Sequence, residues 1–395
     1  MSGAGGAPSP NGEAAPVPPS LRALVGFFLW LGTAGFGGPI ALVGYMDRTL
    51  VGERGWVTRE EFADGLAFCQ LAPGPLAAQL AIYIGWLRGG VRGATAVGIA
   101  FIGPSFLMVV VLAALYQRVG GMPWLQGAFY GIGAAVIAII GRSAVKLARS
   151  TLGRDAVMWA VFAISGAVTV WTESEIVAVF LAAGMVTVAV RGWSTWHRAR
   201  VASFALAVPS SLMPALQAAP ELAIAWKVFA YFAVAGLFVF GSGLAIVPFL
   251  HAGVVVQHGW LTERQFLDAV AVALITPGPV VITVAFIGYL VAGLAGATAA
   301  AAGVFAPVYV ITLLLAPYYQ RLRSNPHVGA FVAGVTAAAT GAIAGAAVVL
   351  GQRAIVDATS LAIAAIVLLL LTLTKRLPEP LVIIAAGVAG VLVAR

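Results

Sequence analysis

Two short glycine–proline elements interrupt apolar stretches of this chain, and each occurs twice. Gly35-Phe36-Gly37-Gly38-Pro39 breaks one apolar segment near its middle, and Phe240-Gly241-Ser242-Gly243 stands at the corresponding place further on. Pro73-Gly74-Pro75 breaks the next segment, and Pro277-Gly278-Pro279 corresponds to it. Proline removes a backbone donor and clashes with the preceding turn, while glycine loosens a helix. Within hydrocarbon, such a break survives only where protein or a water-filled cavity meets the freed backbone groups. Broken helices also turn half-helix N-termini inward, where their N–H groups attract anions. Matching breaks in two halves point to a transport site. The expected substrate-binding set is Gly37, Gly38, Pro39, Pro73, Gly74, Pro75, Gly241, Ser242, Gly243, Pro277, Gly278 and Pro279, with Gln70 and Thr276 beside them. Gln79 and Thr283 flank the same elements. The competing reading of each is a kink or a close helix contact.

Asp64 and Asp268 form a repeated ionisable pair near the start of a span, and they are the proton-coupling candidates. A carboxylate there also serves as an N-terminal helix charge, which is the plainer alternative. Other chemistry is sparse. His197, His251, His258 and His327 lie in or near loops without metal-ligand spacing, so no metal or cofactor is expected. No Gly-x-Ser-x-Gly elbow and no phosphate loop occurs. Arg59-Glu60-Glu61 with Asp64 is the one cluster that a hydrolase of lipid phosphates could use, and it also reads as a solvated amphipathic segment. Cys69 is the single cysteine, which excludes an intrachain disulfide.

These residues must be held by membrane helices. Of 395 residues, 61% are hydrophobic and 9% charged, against about 25% charged in a soluble domain. The apolar runs approach the length of about 20 residues that crosses a bilayer as a helix. Glycine, at 47 residues, suits close packing of such helices. The net charge of +8 is spread over short loops rather than gathered on one surface, which argues against nucleic acid and for topology signals.

Comparison of the chain with itself fixes the organisation. Besides the broken elements, Gly55-Trp56-Val57-Thr58 recurs as Gly259-Trp260-Leu261-Thr262, Phe62 as Phe266, Pro104 as Pro307, and Gly127-Ala128-Phe129 as Gly329-Ala330-Phe331, at an offset of about 204 residues. The expected plan is all-α and polytopic: a disordered tail over 1–20, a first membrane domain over 21–192, a linker over 193–221, and a second membrane domain over 222–395. Each half divides into six apolar segments, the first two near 22–46 and 64–87. The tail is rich in Gly, Ala, Pro and Ser without a positive n-region, so it does not read as a signal peptide.

The linker decides topology. Val201 to Pro220 is uncharged and long enough to span, although Pro209 and Pro214 weaken it as a helix. With the N-terminus inside, Arg88, Arg92, Arg142, Lys146, Arg149, Arg154, Arg191, Arg198 and Arg200 fall inside, while Arg48, Arg54, Arg59 and Arg118 fall outside. A spanning linker also places Arg264, Arg321, Arg323, Lys375 and Arg376 inside. This favours about thirteen helices, a C-terminus outside, and two halves related as inverted repeats. A linker lying on the surface would give twelve spans and parallel halves.

Phe36–Pro39, the Gly55–Asp64 stretch and Pro73–Pro75, in that order, resemble the chromate ion transporter family, in its long two-domain form. The resemblance covers nearly the whole chain outside the first 20 residues and the linker. It implies export of chromate from the bacterial cytoplasm across the inner membrane, driven by the proton-motive force and conferring chromate resistance. The implied partners are a small tetrahedral oxyanion and the lipid bilayer, with a homodimer left open. Sulfate or another oxyanion is the alternative substrate, and a membrane enzyme acting on anionic lipid head groups is the alternative class. Ser242-Gly243 departs from Gly38-Pro39, and Arg264-Gln265 from Glu60-Glu61, so the halves are expected to contribute unequally.

Overall fold

The structure is a computed structural model that describes residues 19–36, 38–119, 122–172, 177–192, 220–237, 239, 246–319, 325–374 and 379–393. Residues 1–18 of the tail, the linker up to residue 219, Gly37, Gly241, Ser242 and Gly243 lie outside the described residues. No strand occurs among the described residues. The first half contains α1 (Leu21–Ala34), α2 (Gly38–Met46) with a π-helical continuation (Asp47–Glu53), α3 (Arg59–Leu71), α4 (Leu76–Val119), α5 (Pro123–Thr151), α6 (Ala156–Thr172) and α7 (Val177–Gly192). The second contains α8 (Pro220–Leu237), α9 (Ile246–His251) with its π-helical continuation (Ala252–Gln257), α10 (Glu263–Ile275), α11 (Thr283–Leu315), α12 (Pro326–Ala354), α13 (Ala358–Leu373) and α14 (Glu379–Val393). Among the described residues, four stretches are long and apolar enough to cross a membrane: Leu76–Val119, Trp124–Arg149, Val280–Tyr318 and Pro326–Ala354.

The segments near 22–46 and 64–87 are not single spans. Each is a pair of shorter helices that fold back on one another. After the break at Gly35, α2 returns along α1: Tyr45 meets Trp30 edge-on at 6.4 Å, and the Arg54 guanidinium lies over the Phe27 ring at 5.8 Å. A continuous helix would hold Tyr45 and Trp30 about 22 Å apart, at 1.5 Å per residue. Beyond Pro73-Gly74-Pro75, residues 76–88 return along α3. Phe68 stacks on Tyr83 at 5.5 Å, and Arg88 closes the open end by pairing with Glu61 and donating Nε to the Trp56 carbonyl at 2.8 Å. The reason is length: α3 has 13 residues, about 20 Å of helix against about 30 Å of hydrocarbon.

The long helices reverse as well. At Gly89-Gly90 the backbone of α4 leaves helical geometry, with Gly90 at φ 56°, a value that an L side chain rarely adopts. Gly293 (φ 58°) does the same in α11. The chain then sets off on the arm 91–119, about 43 Å long at 1.5 Å per residue. Helix α1 packs alongside this arm: a Cβ on Gly32 would meet the Ala100 carbonyl oxygen at 3.1 Å, and Ser105 Oγ donates to the Gly32 carbonyl at 3.1 Å. Thr58 and Thr262 open α3 and α10 with capping boxes, closed by Glu61 and Gln265 respectively. The outer faces of the arms are apolar, with Ile99, Leu107, Val111 and Leu314 largely exposed. That is the surface a helix presents to lipid.

Candidate functional site

The two Pro-Gly-Pro turns are tips, and each tip reaches the broken helix of the opposite half. Gly74 N–H donates to the Val239 carbonyl at 2.7 Å, and Gly278 N–H donates to the Gly35 carbonyl at 2.8 Å. Val239 and Gly35 are the last described residues before the two Phe-Gly breaks, or next to them, so the two bonds are copies of one another about 204 residues apart. The helix ends at a break leave carbonyls without intrahelical donors. Here the tip of the other half supplies the donor.

Packing repeats the same exchange. A Cβ built on Gly74 would lie 2.7 Å from Val308 Cγ1 and 3.2 Å from Gln79 Oε1. One on Gly278 would overlap Ser105 Oγ and lie 3.0 Å from Ser105 Cβ. Ser105 and Val308 follow the repeated Pro104 and Pro307. Ser105 stands midway along the arm 91–119. The tips therefore meet halfway along the spanning arms.

This arrangement brings together Pro73, Gly74 and Pro75 from one side and Thr276, Pro277, Gly278 and Pro279 from the other, all buried except the half-buried Pro73. Gly38, at φ 73°, and Pro39 begin α2 beside the break and are half-buried. Gln70 is exposed on α3 and does not join the tip. Gly37, Gly241, Ser242 and Gly243 fall outside the described residues. The Gly74 and Gly278 N–H groups, expected as free anion donors, are committed to carbonyls of the other half in this conformation. Anion-binding capacity at the first tip rests instead on the start of α4, where the N–H groups of Leu76, Ala77 and Ala78 have no intrahelical acceptor. Thr276 and Thr283 are buried and donate to backbone carbonyls, to Val272 at 2.6 Å and Val280 at 2.8 Å.

The two aspartates are not equivalent. Asp268 is 3% exposed, and Tyr116 Oη, from the first half, donates to its Oδ2 at 2.7 Å. Asp64 is half-buried. Tyr319, at the position that duplicates Tyr116, packs edge-on against Phe68, one turn beyond Asp64, at 5.9 Å. At its base the first hairpin is latched by an ion pair between Glu61 and Arg88, whereas in the second half Glu263 ties the start of α10 to Arg353 of α12 and to His251 Nε2 of α9, the latter at 2.7 Å. Burial of Glu61 works to raise its pKa, but the Arg88 hydrogen bonds and the Thr58 N–H outweigh it and hold the carboxyl below its ordinary value. Tyr116, Ser105 and Tyr319 went unnoticed in the sequence, although all three lie in the duplicated register. No cluster of metal-ligating side chains occurs among the described residues.

A family model described as "Chromate transporter" matches residues 22–188 and again 226–391. The chain belongs to the chromate transporter family. The family model thus occurs in the chain as two repeats. The chain is 51% identical over 371 residues to the "Chromate transport protein" of Cupriavidus metallidurans, covering 94% of this chain and 92% of the relative. It is 50% identical over 377 residues to the "Probable chromate transport protein" of Synechococcus elongatus, covering 94% and 95%. It is 32% identical over 406 residues to the "Chromate transport protein" of Pseudomonas aeruginosa, covering 96% and 94%. No solved structure matches. Membership in this family, with the long apolar helices, makes the chain a multi-pass membrane protein, and points to a transporter rather than an enzyme.

Proposed function

We propose that the protein exports chromate from the cytoplasm across the bacterial inner membrane, using the proton-motive force, and so confers chromate resistance. The observation that carries this reading is the reciprocal seating of the two Pro-Gly-Pro tips on the broken helices of opposite halves. Half-helix ends that meet inside a membrane protein are a site for a small ion, and opening N-terminal turns suit an anion. The names of the relatives supply chromate as the anion. An inside-negative potential favours outward movement of an anion by about 2.3 kcal/mol per charge per 100 mV.

The halves, in this reading, are inverted repeats. The base of the second half's hairpins lies beside the far end of the first half: Arg264 donates to the Gln126 carbonyl at 3.1 Å, and Tyr130 bonds to Asp357. Tyr116, toward that same end of its arm, reaches Asp268. Such contacts follow if the two sets of hairpins enter from opposite faces, and a crossing linker is then required. Of the roughly thirteen apolar segments expected, four fold back halfway. Folding back returns Arg48, Arg54 and Arg59 to the face of Arg22, Arg88 and Arg92, which sharpens the positive-inside bias. By the same geometry Arg264 joins Arg118 on the outer face. Asp268, with Tyr116, is the leading proton-coupling carboxylate, and Asp64 its counterpart.

Everted membrane vesicles test the function. They should accumulate labelled chromate when energised, lose the accumulation with a protonophore, and show weak competition by sulfate. Vesicles that match those lacking the protein would refute it, and equal competition by sulfate would shift the substrate to sulfate.

A further inference from the structure

Gln79 is 0% exposed, and its Oε1 has no hydrogen-bond partner. Its Nε2 reaches only the Pro73 carbonyl, at 3.4 Å. The oxygen faces the first tip, 3.2 Å from where a Cβ on Gly74 would stand. Gln79 closes the first turn of α4, its N–H bonding back to the Pro75 carbonyl at 2.9 Å. A buried acceptor without a donor is costly and calls for an explanation. Exchanging the amide's O and N gives no relief, because it would set oxygen against the Pro73 carbonyl. The second half has no such group: Thr283 stands at the duplicated position with its hydroxyl already bonded.

Two demands thus converge on one tip. The helix N-terminus offers N–H donors to anionic oxygens, and one fixed acceptor asks for an O–H. We propose that the first tip binds a monoprotonated tetrahedral oxyanion, hydrogen chromate, with Gln79 Oε1 accepting its hydroxyl and the N–H groups of Leu76, Ala77 and Ala78 at the start of α4 holding its anionic oxygens. This rests on the oxyanion-transport reading and specifies its ligand.

Chromate takes up a proton near neutral pH, whereas sulfate does so only in strong acid. A site that must pair an O–H therefore separates two dianions of almost the same shape. Against sulfate, Gln79 would face an anionic oxygen, acceptor to acceptor, and a buried polar group left unpaired gives strong rejection. A monoanion is also far cheaper to take out of water, since the Born cost grows with the square of the charge. Val308 and Val239 close the tip in this conformation, so the ligand enters only when the halves part at the Gly74–Val239 bond. Asp64, Cys69, Glu61 and, from the other half, Tyr319 gather about Tyr83 one turn beyond Gln79, with Arg88 paired to Glu61 at the hairpin base. Among these, Asp64 is the group whose own titration must be separated from that of the ligand.

The test is equilibrium binding of trace labelled chromate to the purified full chain, across the pH range in which chromate is protonated. Affinity for total chromate should weaken by about tenfold per pH unit above chromate's ionisation, with the same midpoint in Asp64→Asn. Inorganic phosphate, which keeps an O–H, should compete better than sulfate. Gln79→Leu should bind chromate on the order of tenfold more weakly and lose the preference of phosphate over sulfate, while unfolding at an equal or higher temperature because the orphan acceptor is gone. Affinity independent of pH, a midpoint that moves with Asp64→Asn, or sulfate competing as well as phosphate in the unmodified protein would each overturn the proposal while leaving oxyanion transport standing. Absence of chromate binding at every pH would overturn both.

Discussion

Substitution of Gly74 by alanine asks whether the two halves are locked at their tips. Gly74 has φ 144°, where a side chain is strained whatever the space around it. That strain costs roughly 1–3 kcal/mol. The new methyl would also stand 2.7 Å and 3.0 Å from the two Cγ atoms of Val308, which is fully buried. Valine in a helix has one strongly preferred rotamer and cannot swing aside, and overpacking of this kind costs roughly 1–3 kcal/mol. Gly74→Ala should therefore destabilise the protein by about 2–6 kcal/mol, and membrane abundance should fall. Val308→Ala in the same chain removes the overlap but not the strain. A double-mutant cycle, read by thermal unfolding of detergent-purified protein, should return a coupling of about 1–3 kcal/mol in the rescuing sense. Additive effects, within about 0.5 kcal/mol, would show that Gly74 does not meet Val308, and the seating of the tips would be wrong. The cost arises because the tip is packed against the other half rather than open.

Further outcomes follow from the same contacts. Tyr116→Phe removes the hydroxyl that holds Asp268; it should depress energised transport more than chromate binding, as Asp268→Asn should, and the double variant should be no worse than the poorer single one. Additive losses in transport assays would separate the two residues. Glu61 has a folded pKa below its ordinary value, so its bridge to Arg88 contributes stability that is complete above the ordinary carboxylate pKa and is lost as pH falls through the lowered one. Glu61→Gln should cost about 1 kcal/mol at neutral pH and flatten acid unfolding in that window; an unchanged acid profile would dismiss the latch. Reporter fusions should place the two ends of the chain on opposite faces of the membrane, and fusions that agree on one face would remove the linker crossing.

Much of this was legible in the sequence, and the rest was hidden for a physical reason. The breaks at Gly35–Pro39 and Pro73–Pro75 announced themselves because proline and glycine act locally, and duplication marked them as more than kinks. The reversal at Gly89-Gly90 was legible from the flanking Arg88 and Arg92. The folding back at Pro73–Pro75 was not, because hydropathy sums over a window and reads the same whether a helix continues or turns. The available signal was length: α3 alone is too short to cross, and Glu61 near its start and Arg88 at the end of the following stretch carry opposite charges. The capping boxes at Thr58 and Thr262 could also have been read as helix starts. The pairing of Tyr116 with Asp268 lies between the halves, and no periodicity within one half reports the register between two. Only the common offset of Tyr116 and Tyr319 hinted at it.

The most direct test of the account is flux through the purified chain alone. Proteoliposomes loaded with labelled chromate and given an imposed proton gradient and membrane potential should release it saturably. Release should depend on the sign of the gradient and fall to the level of empty liposomes in Asp268→Asn. Release from wild-type proteoliposomes no faster than from protein-free liposomes, at any imposed gradient, would contradict the claim that the crossed tips form a chromate pathway.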